Sequence, residues 1–305
     1  KEDTKCKLAE KWIPKTVVDS ELQVNENDTQ IHIKGREFAY TIDKRTALFT
    51  EMKFAGREYL NHPMELNIWR APTDNDMYIK SEWKKAHYDK AYTRAYTTEV
   101  VQGKHGVKIT SHASVVAETV QKILDVTITW KIEAAGKIDA DIAVTKDDEF
   151  PDLPRFGVRM FLDKKLSAVR YFGMGPQESY CDKHQAASHG LYQANVDDLH
   201  EDYIRPQENG SHYDCEYVEL NNSRYGIVAS AEKAFSFNAS YYTQEELEKK
   251  THNYELTESD SVVFCVDYAL NGIGSNSCGP VVLEQYRFDD VLFRFQFTLI
   301  PYVKG

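Results

Sequence analysis

Apolar residues fall at every second position over long stretches of this chain, and that period belongs to a half-buried β-strand rather than to a helix. Val126, Ile128, Trp130 and Ile132 alternate with Thr127, Thr129 and Lys131. Beyond a turn at Ala134-Ala135-Gly136-Lys137 the pattern resumes with Ile138, Ala140, Ile142 and Val144. The two runs predict a hairpin with one buried and one wet face. Phe293, Phe295, Phe297 and Leu299 alternate with Arg294, Gln296 and Thr298 in the same way. Further strands are expected at 30–34, 38–42, 156–162, 169–172 and 262–268.

Helical signals are few. Thr243-Gln244-Glu245-Glu246 is a capping box that opens a short helix to about His252. Glu245/Lys249 and Glu246/Lys250 are its expected i,i+4 pairs. A second short helix is expected over 81–91. No regular βα alternation occurs, which argues against a doubly wound fold. The expectation is all-β: two large antiparallel sheets packed face to face, with few short helices. Residues 1–25 are polar, apart from Trp12-Ile13-Pro14, and predict a linker or the end of a preceding domain. Residues 26–305 show no further boundary.

The 305 residues carry a formal net charge of −11. Nucleic acid is disfavoured as a partner, because such proteins need basic patches to meet phosphates. No run of 18 apolar residues is present, so no membrane-spanning helix is expected. The five cysteines, Cys6, Cys181, Cys215, Cys265 and Cys278, are odd in number, widely spaced and free of any C-x-x-C pattern. They read as free thiols in a reducing, cytoplasmic compartment. The chain opens on Lys1, not Met, as expected for the cut end of something longer or a trimmed chain.

Four stretches carry more information than the rest. They are Leu66-Asn67-Ile68-Trp69-Arg70-Ala71-Pro72-Thr73-Asp74-Asn75-Asp76, Tyr171-Phe172-Gly173-Met174-Gly175-Pro176-Gln177-Glu178-Ser179-Tyr180-Cys181-Asp182, Asp202-Tyr203-Ile204-Arg205-Pro206-Gln207-Glu208-Asn209-Gly210, and Gly272-Ile273-Gly274-Ser275-Asn276-Ser277-Cys278-Gly279-Pro280. On residue chemistry alone, Asp74-Asn75-Asp76 reads as a tight turn after Pro72, since the spaced Gly and distal Glu of a calcium loop are missing. Gly173 and Gly175-Pro176 read as a corner, with glycine supplying positive φ. Gln177, Glu178, Tyr180 and Asp182 are placed to hydrogen-bond loops there. Glu178 and Glu208 are expected to be partly buried, with Arg205 or Arg170 as partners. His184, His189, His200 and His212 lack any metal-ligand spacing, and no serine-nucleophile elbow is present.

Together and in this order, the four stretches resemble the C-terminal domain of family 2 glycoside hydrolases of the β-galactosidase type, which in some bacteria is a separate small subunit. The resemblance covers about residues 28–303. It implies a β-supersandwich of the galactose mutarotase-like type. It makes Trp69, Arg70, Pro72, Asp74, Asn75, Asp76, Gly175, Pro176, Gln177, Glu178, Pro206, Glu208, Asn209 and Gly210 motif residues with a structural role. It places Met77, Tyr78, Ile79, Lys80 and Ser81 in a mobile loop beside the galactose site. It also places Asn276, Ser277 and Cys278 in a loop projecting into the active site. The residue matching Cys278 is Trp in some members, and this loop is one residue shorter than theirs. Trp-to-Cys removes stacking area for a sugar face, and Cys278 reads either as wall of the site or as a buried inert thiol.

The resemblance assigns catalysis elsewhere. Retaining glycosidases need two carboxyl groups about 5–5.5 Å apart, and in this family both belong to a (β/α)₈ barrel absent from this chain. Magnesium and sodium belong chiefly to that barrel, so no catalytic residue, metal or cofactor is expected here. The expected partners are a β-galactoside such as lactose and the barrel portion of the same enzyme. A homo-oligomer is a further reading, since family members are often dimers or tetramers. A carbohydrate-binding module and an aldose epimerase-like enzyme are the alternative functions.

Overall fold

The computed structural model describes residues 22–119, 122–274 and 276–304. Five strands form a small sheet: β1 (Gln23–Glu26), β2 (Gln30–Lys34), β3 (Phe38–Asp43), β4 (Leu48–Phe54) and β5 (Arg57–Glu58), paired in that order. Twelve more form a large sheet: β6 (Leu60–Asn67), β7 (Tyr92–Gln102), β8 (Gly106–Val116), β9 (Leu124–Glu133), β10 (Ile138–Lys146), β11 (Arg155–Asp163), β12 (Ala168–Gly175), β13 (Ser188–Asn195), β14 (Ser211–Asn221), β15 (Tyr225–Ser240), β16 (Ser261–Leu270) and β17 (Leu292–Val303). One arm runs β13-β12-β14-β15-β17-β10-β9-β8-β7, and a second branches from β15 through β16 and β11 to β6. Every pairing between these strands is antiparallel.

The two sheets expected from the alternation are thus arms of one branched sheet. The branch exists because β15 is sixteen residues long. Its first half pairs with β17, and its second half, from Ser236, pairs with β16. The arms pack on each other through rings such as Phe156 on Phe293, with centroids 5.0 Å apart.

The expected hairpin is β9–β10, with Ile138 opposite Ile132 and Ile142 opposite Ile128. Its alternate residues are all buried. Gly136 turns it at φ +87°, a left-handed value that favours glycine. The Tyr40 hydroxyl donates to the Gly136 carbonyl at 2.7 Å, so the turn also anchors the small sheet. Trp130 makes the second anchor. Its indole N–H donates to the Ala47 carbonyl at 2.8 Å, and its ring meets Phe49 edge-on at 4.9 Å.

The remaining expectations meet mixed outcomes. Residues 23–25, expected in a linker, belong to β1; residues 1–21, which include Cys6 and Trp12-Ile13-Pro14, lie outside the described residues. The helix expected over 81–91 is α1 (Ile79–Lys85), which starts earlier because Trp83 anchors it in the core. It ends before His87, whose φ of +58° is incompatible with helix. The helix at the capping box is α2 (Gln244–Lys249), which stops short of His252. The Thr243 hydroxyl caps it by accepting from the Glu246 N–H at 3.1 Å. Glu246 pairs with Lys250 as expected, but Glu245 turns to Arg159 at 2.9 Å.

Two buried features allow tests. Arg155 joins β11 to β16 by two contacts with Asp267, at 2.7 and 3.2 Å, and meets Glu208 at 3.2 Å. All three side chains are out of solvent. Arg155→Met leaves two buried carboxylates without their cation. It is expected to cost about 3–5 kcal/mol, and breaking the exposed Arg294–Asp141 pair is expected to cost far less, because solvent screens it. Urea midpoints of the two variants check this.

His212 of β14 is buried between the rings of Tyr171 and Phe237, and one ring nitrogen meets the Met174 carbonyl at 3.2 Å. Burial pushes its imidazole down from 6.5 to about 4. The folded chain therefore stays neutral at His212 where the unfolded chain takes up a proton. Its contribution to stability is present above about pH 6.5 and is lost as pH falls toward about 4, by about 3 kcal/mol in all. Across this window wild type is expected to lose about 3 kcal/mol that His212→Phe keeps, so melts of the variant give the flatter stability curve.

Candidate functional site: a junction of four motifs

Arg70 lies just past the end of β6, with its guanidinium fully buried. A buried cation must be paired and its N–H groups bonded. Two N–H groups meet the Asp76 carboxylate at 2.7 and 3.3 Å, and others donate to the carbonyls of Asn271 and Gly272. Asp76 in turn accepts from the Thr73 N–H at 2.8 Å and from its hydroxyl at 3.2 Å, closing a 3-10 turn over Asp74–Asp76. Pro72 lies half-buried between Arg70 and this turn. The Asn75 amide reaches across to the Ile273 carbonyl at 2.6 Å. Trp69 stands edge-on to Trp83 of α1, and Arg70 lies over the Trp83 ring.

The second stretch begins within β12. Gly173 and Gly175 do not have positive φ, contrary to expectation. They are glycines because of close approach: a Cβ at Gly173 would lie 2.2 Å from the Cys215 sulfur, and one at Gly175 would lie 2.2 Å from the Tyr171 hydroxyl. Pro176 and Gln177 are exposed. Glu178 accepts from the Gly210 N–H at 2.8 Å, and its other oxygen takes Lys183 and the Tyr203 hydroxyl. Asp182 reaches the fourth stretch, accepting from the Ile273 N–H at 3.0 Å and the Gly274 N–H at 2.7 Å.

The third stretch closes the ring. The Glu208 N–H donates to the Ala71 carbonyl at 3.0 Å, and its side chain meets Arg155. Burial pushes the Glu208 carboxyl up, against the pull of Arg155. Pro206 is buried beside it, and Asn209 accepts from the Glu201 N–H at 3.0 Å. Gly210 has φ +70°, and a Cβ there would lie 2.3 Å from the Leu199 carbonyl. Neither carboxylate has the partner expected for it. Arg170 pairs instead with Glu219, its neighbour across β12 and β14, and Arg205 is exposed.

The structure thus brings all four stretches together. Missed from sequence were Arg155, Asp267 and Asn271. Asp267 had a signal: it is the sole carboxylate in Val262-Val263-Phe264-Cys265-Val266-Asp267, and a charge in so apolar a strand requires a buried partner. Above the junction lie the segments expected near substrate. Met77 and Tyr78 are 43% and 62% exposed. Ile79, Lys80 and Ser81, expected in a loop, form the first turn of α1. Asn276 is half-buried with φ +95°, while Ser277 and Cys278 are exposed, so Cys278 is not a buried thiol.

A groove of about 700 Å³ opens beside the junction, sharing Tyr180 and Cys181 with it. Four of the junction's carboxylates, Asp76, Glu178, Asp182 and Glu208, are engaged by cations or backbone N–H groups, while Asp74 and Asp202 are exposed. The arrangement shapes backbone and offers loop tips to a neighbour. Among the described residues no group of three or more His, Cys, Asp or Glu is arranged to hold a metal ion, and no helix is long and apolar enough to cross a membrane.

A β-galactosidase of Actinobacillus pleuropneumoniae is 44% identical over 289 residues, covering 94% of this chain and 28% of that protein. A β-galactosidase of Staphylococcus xylosus is 33% identical over 282 residues, covering 92% of this chain and again 28% of the relative. The chain therefore spans 28% of the length of these curated relatives. Among solved structures, a galactose mutarotase-like protein from Lactobacillus casei aligns over 93% of this chain and 100% of that one, with TM-score 0.46 and 13% identity. The family model described as beta galactosidase small chain matches residues 34–299, which takes in all four stretches of the junction. The chain belongs to the beta galactosidase small chain family.

Proposed function

We propose that this chain is the non-catalytic C-terminal part of a retaining, family 2 β-galactosidase acting on terminal β-D-galactosides such as lactose. The observation that carries this reading is the commitment of the four junction carboxylates that are shielded from solvent. Glycoside hydrolysis needs one carboxyl group free as acid/base and another free as nucleophile. Here Asp76, Glu178, Asp182 and Glu208 each hold a cation or backbone N–H group within the fold. The catalytic pair belongs to a barrel portion outside these residues, and the covered 28% of the relatives' length leaves room for it.

In this reading the exposed Met77, Tyr78, Ser277 and Cys278 face that barrel and the galactoside. Ile79, Lys80, Ser81 and Asn276 support them from α1 and the loop. In the same reading magnesium and sodium belong to the barrel portion. The free Cys181, Cys215, Cys265 and Cys278 suit a reducing cytoplasm.

The test is hydrolysis of a chromogenic β-galactoside by the purified chain, alone and mixed with the separately expressed upstream portion. No turnover alone and turnover on mixing is the expected result. Turnover by the chain alone that is lost in Glu178→Gln or Glu208→Gln would overturn the proposal. Sugar affinity of the isolated chain, without complementation, would favour a carbohydrate-binding module instead.

A further inference from the structure

We infer that Asp182 is a positioning residue for the Cys278-bearing loop, acting through the backbone of Ile273 and Gly274. The geometry is two-sided. The Asp182 carboxylate accepts from two successive backbone N–H groups, Ile273 at 3.0 Å and Gly274 at 2.7 Å. Successive N–H groups on one anion form a compact anion cradle, and charge-assisted bonds of this kind are stronger than neutral ones. The carbonyls of the same segment are held from the other side. Asn75 donates to Ile273, and Arg70 donates to Asn271 and Gly272. The base of the loop is therefore gripped at its donors by the second motif and at its acceptors by the first.

The glycines of the fourth motif fit this reading independently. A Cβ at Gly272 would lie 2.7 Å from the Asp182 carboxylate, and a Cβ at Gly274 would lie 3.0 Å from it. Neither residue has positive φ, so conformation does not account for glycine there. Both positions are kept bare for the carboxylate. Beyond the grip, Ser277, Cys278, Gly279 and Pro280 are exposed. The direction in which this tip leaves the fold is set at Ile273–Gly274.

The same grip ties the loop to the Met77–Ser81 segment. Asn75 and Asp76 immediately precede that segment and hold the loop base, directly or through Arg70. The two segments assigned to the substrate are thereby fixed to one scaffold. This part of the inference rests on the proposed function; the grip itself does not.

The experiment uses Asp182→Asn, which keeps the shape but turns an amide N–H₂ toward a backbone N–H. Gly274→Ala is the second variant. It presses a methyl against the carboxylate at an exposed position and leaves Asp182 intact. Hydrogen exchange of the full chain is expected to rise about tenfold in peptides covering 271–280 and to stay unchanged in β9, β10 and β17. In the complete enzyme, both variants are expected to raise KM for a chromogenic β-galactoside about tenfold while kcat stays within about threefold. A purely structural role would lower active protein without this split. Unchanged exchange over 271–280 in both variants overturns the inference. Raised exchange with unchanged KM leaves the grip standing and overturns the reading that the loop serves the substrate.

Discussion

A guanidinium taken out of water must find acceptors for its N–H groups inside the protein, and Arg70 imposes that demand at the centre of this fold. Its acceptors are a carboxylate six residues along the chain and two carbonyls some two hundred residues away. Arg155 imposes a similar demand between β11 and β16, through Asp267, and draws in Glu208 from a loop. These ionic contacts are poor evidence of net stability, because desolvation offsets much of their attraction. They are strong evidence of specificity. A fold in which Asn271 failed to reach Arg70, or Glu208 failed to reach Arg155, would strand a buried charge. The loops are therefore brought together by the need for pairing rather than by apolar contact alone.

How much of this was legible depended on distance along the chain. The alternation at 126–132, 138–144 and 293–299 is a local signal, and β9, β10 and β17 carry it face for face. The branch at β15 is not local. Glu232-Lys233 is exposed within that strand, and only its change of partner, from β17 to β16, makes it the hinge between two arms. The partners assigned to Glu178 and Glu208 failed for the same reason. Arg170 and Arg205 are near them in sequence, yet register sets Arg170 against Glu219, and the cation for Glu208 comes from the start of β11. Gly173 and Gly175 were legible as glycines under constraint. The constraint was close approach rather than backbone twist: Cys215 reaches Gly173 from β14, while Gly175 is crowded by Tyr171 of its own strand and Tyr192 of β13.

The candidate site divides along a similar line. Its motif residues are recognisable in sequence because buried charges, bare glycines and turn carboxylates leave few substitutes. Its tips are legible only through the family resemblance, because Met77, Tyr78, Ser277 and Cys278 are exposed and their residue chemistry alone points to no role. Loops serve function when a rigid scaffold places them, and the scaffold here is polar at its centre. That choice has a physical reason. An apolar base would hold a loop by shape alone, whereas N–H groups on Asp182 and carbonyls on Arg70 and Asn75 fix the segment in direction as well as in place.

A grip made on backbone also frees the side chains beyond it. Ile273 and Gly274 are held through their N–H groups, and Asn271, Gly272 and Ile273 through their carbonyls. Nothing in that set of contacts depends on which residue stands at 278. A Trp there would add stacking area and a Cys gives it up, yet the contacts that hold 271–274 involve neither side chain. The Asp182 carboxylate and the two glycines that make room for it thus separate where the loop points from what it presents. A fold that has solved the first problem in its backbone leaves the second open to change at the tip.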